Sequence, residues 1–174
     1  FAFLLTMPGA PFIYYGDEIG MRYRVLPSKE GGYTRTGSRT PMQWNNGLNL
    51  GFSEADQSSL YLPTDDAKDA PTVEKQQKRA DSLYHTVRQI LDIRSKQDAF
   101  TRHDNLEIVS VEEGKRSFAY RRDDLIILCN PSCRTETLEI DVRKSHVIYT
   151  LGSLEEGEGS CTLGAQSFVI CKAV

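Results

Sequence analysis

The sequence predicts an α/β segment followed by an all-β domain. Three observations support this. Residues 1–15 combine a helix-like apolar stretch with a short run suited to a buried strand. Residues 80–94 repeat apolar side chains at helical spacing, whereas after Phe100 the apolar period changes from 3.6 to 2. This change of period divides the chain into residues 1–100 and residues 101–174.

The first element is a short α-to-β step. Residues 1–7 have the composition of the last turns of a buried helix, and Pro8 and Gly9 end that helix. Residues 12–15, FIYY, form the short apolar run that a parallel strand buried on both faces requires. A helix end, a turn and such a strand are one step of an α/β protein.

A long loop follows, from Met21 to Arg79. It is rich in turn-forming residues, which include Gly31, Gly32, Gly37, Asn45, Asn46, Gly47, Asn49 and Gly51. Loops of this length are usually functional or disordered. The sequence predicts an ordered loop, because it also carries five aromatic side chains: Tyr23, Tyr33, Trp44, Phe52 and Tyr61.

The second helix is amphipathic. One face carries Ala80, Leu83, Tyr84, Val87, Ile90, Leu91 and Arg94 at the i, i+3, i+4, i+7 spacing. Asp81 and Ser82 are candidate caps, and the helix is predicted to end near Lys96.

Six short runs rich in Val, Ile, Tyr and Phe follow, separated by turn residues. They lie at residues 105–114, 116–122, 125–130, 137–142, 146–150 and 165–174. Close spacing of such runs indicates a small antiparallel β-sandwich.

Composition excludes several classes of protein. The formal charge of −3 and the absence of basic runs exclude a nucleic-acid-binding protein, and Pro8 breaks the first apolar run well short of a membrane span. Among the four cysteines, Cys129 and Cys171 lie in strand-like runs as expected for buried free thiols, although a disulfide stays possible. No phosphate, dinucleotide or zinc motif is present, so no cofactor or metal is predicted. The compartment stays open, with the cytoplasm favoured.

Asp17 and Glu18 are adjacent carboxylates directly after the predicted strand. On an extended segment their side chains point to opposite faces, whereas a glycosidase pair faces each other roughly 5 to 10 Å apart. One of them could point into an active site at the carboxyl end of a barrel strand. The favoured interpretation makes both of them loop anchors that accept hydrogen bonds from backbone N–H groups or from Arg22, Arg24 and Arg35.

Arg39 and Trp44 lie close together in the segment SRTPMQW. A guanidinium donates to hydroxyls or to a carboxylate, and an indole offers an apolar face, so the pair suits sugar recognition. The alternative is an arginine that stacks on the tryptophan and only stabilises the loop.

Four segments carry a resemblance to a known family. PGAPFIYYGDEIGM, SRTPMQWN, the following GFS, and SLYHTVRQILDIRSKQDAF resemble the end of the catalytic barrel in glycoside hydrolase family 13, the α-amylase family, closest to its α-glucosidase, oligo-1,6-glucosidase and trehalose synthase branch. The resemblance covers about 100 residues. Beyond Phe100 only the position and the β pattern match.

The resemblance implies a fold: the last αβα segment of a (β/α)8 barrel, followed by a small antiparallel β-sandwich domain. Residues 12–15 would be the eighth barrel strand, residues 21–79 the loop over the active-site mouth, and residues 82–96 the closing helix. The C-terminal β-domain would begin at about Asn105.

The resemblance also implies an activity. The family's Asp nucleophile (G-x-R-x-D), its Glu acid/base and the Asp of its N-H-D motif lie on earlier strands, and none of these motifs is present. We therefore expect no catalytic residue here and an inactive chain. Arg39 of R-T-P-M-Q-W would grip the non-reducing-end glucose of an α-glucan or a malto- or isomalto-oligosaccharide, together with an acidic partner from an early loop.

The parent protein is expected to hydrolyse α-glucosidic bonds with retention. One alternative is a trehalose-synthase-like isomerase or transglycosylase, because those enzymes share the same motifs. The other is a non-catalytic carbohydrate-binding or interaction module. In that case the chain is predicted to self-associate through apolar side chains at a truncated barrel edge, namely Phe1, Phe3, Leu4, Phe12 and Ile13.

Overall fold

The computed structural model describes residues 1–28 and 35–174. Gly31, Gly32 and Tyr33, which the sequence places in the long loop, lie outside the described residues. The chain divides into two compact units, one formed by Phe1–Pro11 with Leu91–Val174 and the other by Phe12–Ile90.

The α-helices of the described residues are α1, Ala2–Thr6, α2, Val73–Gln77, and α3, Leu83–Lys96. The helix predicted for residues 82–96 therefore begins one residue later, at Leu83. Ser82 is its cap, because its hydroxyl oxygen accepts the His85 N–H at 3.4 Å. Within residues 1–28 and 35–174, no helix is both long and apolar enough to cross a membrane.

The strands of the described residues all lie in the first unit. They are β1 Leu106–Val111, β2 Phe118–Arg122, β3 Leu125–Asn130, β4 Glu136–Leu138, β5 Ser145–Leu151, β6 Leu154–Glu156, β7 Cys161–Leu163 and β8 Ser167–Ala173. They form a five-stranded sheet, β1-β2-β3-β8-β5, and a three-stranded sheet, β4-β7-β6. Every pairing is antiparallel, which confirms the predicted antiparallel β-domain. The short strands β6 and β7 were not predicted.

The centre of the five-stranded sheet is buried on both faces. One face shares a core with the three-stranded sheet, in which Leu128 and Val169 pack with Leu163. On the other face Ile127 packs in a cluster that includes Phe100. Every residue of β3 is buried, which explains why residues 125–129, LIILC, are continuously apolar rather than alternating.

Two arginines bind the backbone at the end of α1. Arg94 donates from Nη1 to the Leu5 carbonyl at 2.5 Å and from Nη2 to the Gly9 carbonyl at 2.8 Å. Arg122, which is fully buried, donates to the Thr6 carbonyl at 2.6 Å. These bonds satisfy carbonyl groups that a helix end leaves without intrahelical partners.

The strand predicted at residues 12–15 is not formed. These residues are in neither a helix nor a strand, and the Phe12 side chain is 90% exposed. A strand needs a neighbour to complete its backbone hydrogen bonds, and the sheets of the described residues contain only β1 to β8.

The stability of the β-domain is expected to fall at alkaline pH. Cys129, Cys161 and Cys171 are buried free thiols, and burial raises the pKa of each to about 11, against about 8.5 in an unfolded chain. The folded chain keeps protons that the unfolded chain releases, so stability is complete below about pH 8 and decreases toward pH 11. Each thiol contributes up to about 3 kcal/mol to this loss.

Urea denaturation between pH 7 and pH 11 measures the effect. Cys171→Ala is expected to flatten the decrease, even though it lowers stability at neutral pH. Cys133→Ala is the control, because Cys133 is exposed, and it should leave the decrease unchanged. Identical pH profiles for wild type and Cys171→Ala would contradict the prediction.

Candidate functional site

The unit Phe12–Ile90 contains a cavity of about 470 Å³ with mainly apolar walls. Its lining residues are Tyr15, Glu18, Arg39, Pro41, Met42, Trp44, Phe52, Tyr61 and Leu62. Four aromatic rings thus surround one carboxylate and one guanidinium. The two residues that the sequence selects for substrate binding, Arg39 and Trp44, both line this cavity.

Glu18 and Asp17 lie in a 3-10 helix, Asp17–Ile19, so the extended segment predicted for them is wrong. The turn forms because Gly16 and Gly20, on either side of it, adopt left-handed conformations with φ of 88° and 70°. Of the two carboxylates only Glu18 lines the cavity, while Asp17 is exposed.

Both carboxylates accept backbone hydrogen bonds from their own turn. Glu18 Oε2 accepts the Gly16 N–H at 2.8 Å, and Asp17 Oδ2 accepts the Tyr14 N–H at 3.2 Å. Anchoring of the following loop by these two side chains stays a prediction, because the loop's backbone is not among these partners.

Arg22 and Arg24 do not pair with Asp17 or Glu18 but with an acidic cluster later in the loop. Arg24 Nη1 lies 3.0 Å from Asp65 Oδ1 and 2.8 Å from Asp66 Oδ1, and Arg22 Nη2 lies 2.9 Å from Asp69 Oδ1. The hydrogen bond from Arg24 lowers the pKa of Asp66, and the bond from Arg22 lowers that of Asp69. These pairs join the two ends of the long loop, because residues 22 and 24 lie near its start and residues 65 to 69 near its end. Asp65 itself is buried.

Tyr15 connects the turn to the segment that carries Arg39. Its hydroxyl donates to the Thr40 carbonyl at 3.0 Å. Burial, and then the neighbouring Tyr14, raise the pKa of the Tyr15 hydroxyl. The phenol therefore stays protonated at neutral pH and keeps its donor.

Trp44 is held through its backbone. The Trp44 and Asn45 N–H groups both donate to the Leu50 carbonyl, at 2.8 and 3.1 Å. The chain can turn back from Asn45 to Leu50 because Asn49 and Leu50 adopt left-handed conformations, with φ of 50° and 57°. Non-glycine residues rarely adopt this conformation, and such strain is typical of functional loops.

Asn49 stabilises the same turn from inside. It is buried, and its Nδ2 donates to the Ser53 and Ala55 carbonyls at 2.8 and 2.7 Å. The Phe52 N–H in turn donates to the Asn49 carbonyl at 3.1 Å. The turn therefore fixes Trp44 and Phe52, two aromatic walls of the cavity, relative to each other.

The sequence did not predict Phe52 or Tyr61 as lining residues. For Asp17 and Glu18 it left open that one of them points into an active site, while it favoured loop anchors. The available signal was the aromatic content of the long loop, which indicated order but not which rings would share a cavity.

The cavity has the chemistry of a binding site. Glu18 is its single acidic lining residue, so the facing pair of carboxylates that glycoside hydrolysis needs is not formed by the described lining. Within residues 1–28 and 35–174, no group of three His, Cys, Asp or Glu side chains is placed to hold a metal ion. Aromatic faces beside a guanidinium and a carboxylate suit a neutral ligand that carries hydroxyl groups.

Known proteins resemble this chain in sequence. The sequence model of the α-amylase catalytic domain matches residues 1–103. A trehalose synthase of Pimelobacter sp. is 34% identical over 153 residues, which are 82% of this chain and 26% of that protein. The amino acid transporter heavy chain SLC3A1 of Mus musculus is 30% identical over 180 residues, which are 90% of this chain and 26% of that protein.

Solved structures share the fold. The trehalulose synthase MutB of Pseudomonas mesoacidophila aligns with a TM-score of 0.76 at 18% identity, over 98% of this chain and 37% of that one. A MutB variant has also been solved in complex with the substrate sucrose. These likenesses identify a part of a (β/α)8 barrel with a β-domain.

This chain spans about a quarter of the length of the two sequence relatives. The family model nevertheless covers more than half of the chain, from the first residue to residue 103. The chain therefore belongs to the α-amylase family, glycoside hydrolase family 13.

Proposed function

We propose that this chain is the C-terminal part of an enzyme that cleaves and re-forms α-glucosidic bonds, and that it contributes part of the sugar-binding site. The cavity carries the proposal, because it places Arg39 and Glu18 among aromatic side chains. A glucose ring has apolar C–H faces that pack on aromatic rings, and hydroxyls that bond to a guanidinium or a carboxylate.

The bond-breaking groups belong to other parts of the whole protein. In the retaining mechanism one carboxylate displaces the leaving sugar and forms a glycosyl-enzyme, while a second donates a proton to the departing oxygen. In this proposal Arg39, Trp44 and Glu18 bind and orient the sugar. The 174-residue chain alone is accordingly expected to be inactive.

Transfer to a sugar hydroxyl is favoured over hydrolysis. The sequence alone favoured hydrolysis, but one relative is a trehalose synthase and the structural neighbour MutB is a trehalulose synthase. Apolar cavity walls also limit the water that competes for a glycosyl-enzyme. The proposed reaction is isomerisation of an α-linked disaccharide, with hydrolysis as a side reaction.

The fold proposal concerns residues 12–15, taken as the eighth barrel strand. In support, Phe12 is 90% exposed and Tyr14 is 47% exposed, as expected for side chains that lack their neighbouring elements.

The family model ends at residue 103 and β1 begins at Leu106, which supports a division into a barrel end, residues 1–100, and a β-domain, residues 101–174. Self-association through Phe1, Phe3, Leu4, Phe12 and Ile13 stays a prediction.

Arg39→Ala in the full-length protein tests the function. We expect kcat/KM for maltose or trehalose to fall at least about tenfold, because a charge-assisted hydrogen bond to a sugar hydroxyl is worth roughly 1.5 to 3 kcal/mol. Conversion of maltose to trehalose, and glucose release, are followed by chromatography.

Arg143→Ala is the matched control, since Arg143 is a half-exposed arginine of the β-domain that pairs with Asp141. It should retain wild-type kinetics. Turnover of maltose, isomaltose or an aryl α-glucoside by the 174-residue chain alone would contradict the proposed division of labour. Unchanged kinetics in Arg39→Ala would exclude Arg39 from the sugar site.

The second candidate function is a non-catalytic interaction module. It is favoured by the similarity to a protein described as an amino acid transporter heavy chain, which extends over 90% of this chain. Absence of turnover by the full-length protein on every α-glucoside tested would favour this candidate over the enzyme.

A further inference from the structure

Trp44 also lines a second concave surface, which we name the amide groove. Its volume is about 390 Å³, and its lining consists of Trp44, Asn45, Asn46, Gly47, Val73, Glu74 and Gln77. Whereas the walls of the cavity are mainly apolar, those of the groove are mainly polar. The half-exposed indole of Trp44 is therefore common to two surfaces of different chemistry.

The two sides of the amide groove are held together by backbone bonds. The Glu74 N–H donates to the Trp44 carbonyl and the Val73 N–H donates to the Gln43 carbonyl, both at 2.9 Å. Thr72 caps α2 by accepting the Lys75 N–H at 3.2 Å. A surface fixed in this way loses little conformational entropy when it binds a ligand.

The groove has unused hydrogen-bonding groups. Within the described part of the chain, the Asn46 side-chain amide makes no hydrogen bond, and Asn45 uses only its Oδ1, which accepts the Gly47 N–H at 2.7 Å. The Gln77 side chain makes one long contact, from Nε2 to the Tyr84 hydroxyl at 3.5 Å, which leaves its Oε1 available.

These groups select a class of ligand. A carboxamide offers both donors and an acceptor, which complements hydroxyl groups that also donate and accept. No lysine or arginine lines the groove, so the lining offers no cation to a phosphate. Its one acidic side chain, Glu74, is paired with Lys78 Nζ at 2.5 Å. The small apolar share of its lining argues against a lipid or an apolar peptide. The chemistry fits a neutral polyhydroxylated ligand that packs on the indole.

We propose that the amide groove is a second saccharide-binding subsite, occupied by the part of an oligosaccharide that extends past Trp44 from the cavity. The proposal rests on the function proposed above and specifies its substrates. A disaccharide held in the cavity leaves the groove empty. A longer α-glucan engages both surfaces, and only its binding depends on Asn46 and Gln77.

The test compares short and long substrates on the full-length protein. Asn46→Ala and Gln77→Ala are made singly and together, and KM and kcat are measured for maltose and for maltohexaose. The double variant is expected to raise KM for maltohexaose about fivefold or more, with kcat and the maltose parameters within twofold of wild type. Gln57→Ala, an exposed amide outside both linings, is the control.

An equal change for both substrates, or no change for either, would overturn the proposal, provided that melting temperatures show folded variants. If the protein turns over no α-glucoside, the proposed enzyme function fails, but the proposed subsite is not yet contradicted. The groove is then tested by calorimetric titration with maltohexaose. Weaker binding to the double variant than to Gln57→Ala supports the subsite, and equal or absent binding overturns it.

Discussion

Replacing Arg122 with methionine is expected to lower the free energy of unfolding of the β-domain by about 3 kcal/mol or more. Arg122 is fully buried at the end of β2. Its guanidinium donates to four acceptors: the carbonyls of Thr6 at 2.6 Å, Ala99 at 2.9 Å and Arg102 at 2.6 Å, and Asn105 Oδ1 at 2.7 Å. Methionine fills a similar volume, but it removes all four of these hydrogen bonds.

The loss is smaller than the sum of three orphaned acceptors, at roughly 1 to 3 kcal/mol each. The fourth acceptor, the Ala99 carbonyl, keeps the Asn105 Nδ2 donor at 2.9 Å. Burial, and then the positive charge of Arg94, lower the pKa of Arg122. Removing the buried charge therefore recovers part of its desolvation cost. The hydrogen bonds still dominate, because every side of the guanidinium plane is used.

Urea denaturation followed by far-UV circular dichroism measures the effect of Arg122→Met. Arg121→Met is the matched control on the same strand, because the Arg121 side chain is partly exposed and pairs with Glu107 Oε2 at 3.4 Å. Such surface pairs contribute about 0 to 1 kcal/mol. Equal losses in the two variants would show that the buried bonds add nothing beyond a surface pair.

The sequence predicted the antiparallel β-domain because its strands alternate or are fully apolar. It missed β6 and β7, because three residues are too few to establish a period. It also missed the burial of Arg122. Two adjacent arginines at a strand end indicate an exposed position, and only the tertiary fold brings the acceptors of Arg122 together.

The candidate site was predictable only where its residues are close in sequence. Arg39 and Trp44 are five positions apart in one segment, and the cavity contains both. Phe52 and Tyr61 join them because of the path of the loop, which turns at the left-handed residues Asn49 and Leu50. No general sequence pattern predicts such a pair.

Charge patterns were similarly ambiguous. The segment TDDAKDAP has the composition of a solvated turn, yet Asp65 within it is buried and pairs with Arg24. Sequence alone offered Arg24 as a partner for Asp17 or Glu18. The structure assigns the arginine to Asp65, because loop closure brings residues 41 positions apart into contact.

Replacing Gly37 with alanine is expected to displace the segment that carries Arg39. A Cβ atom on Gly37 would lie 1.7 Å from the Arg24 carbonyl oxygen and 2.8 Å from its carbon. The two segments cannot simply separate, because the Gly37 carbonyl accepts the Arg24 N–H at 3.1 Å and Asp65 holds the Arg24 side chain. The backbone must move, at a cost of about 2 kcal/mol.

The full-length Gly37→Ala protein should therefore show a lower melting temperature and a KM for maltose raised about tenfold. Gly157→Ala is the control, because the nearest atom to its added Cβ would be the Ser160 hydroxyl oxygen, at 3.2 Å and on a side chain that can rotate. It should leave KM unchanged. If Gly37→Ala binds maltose normally although Arg39→Ala does not, the loop tolerates the clash without moving Arg39. If neither changes KM, the cavity is not the maltose site.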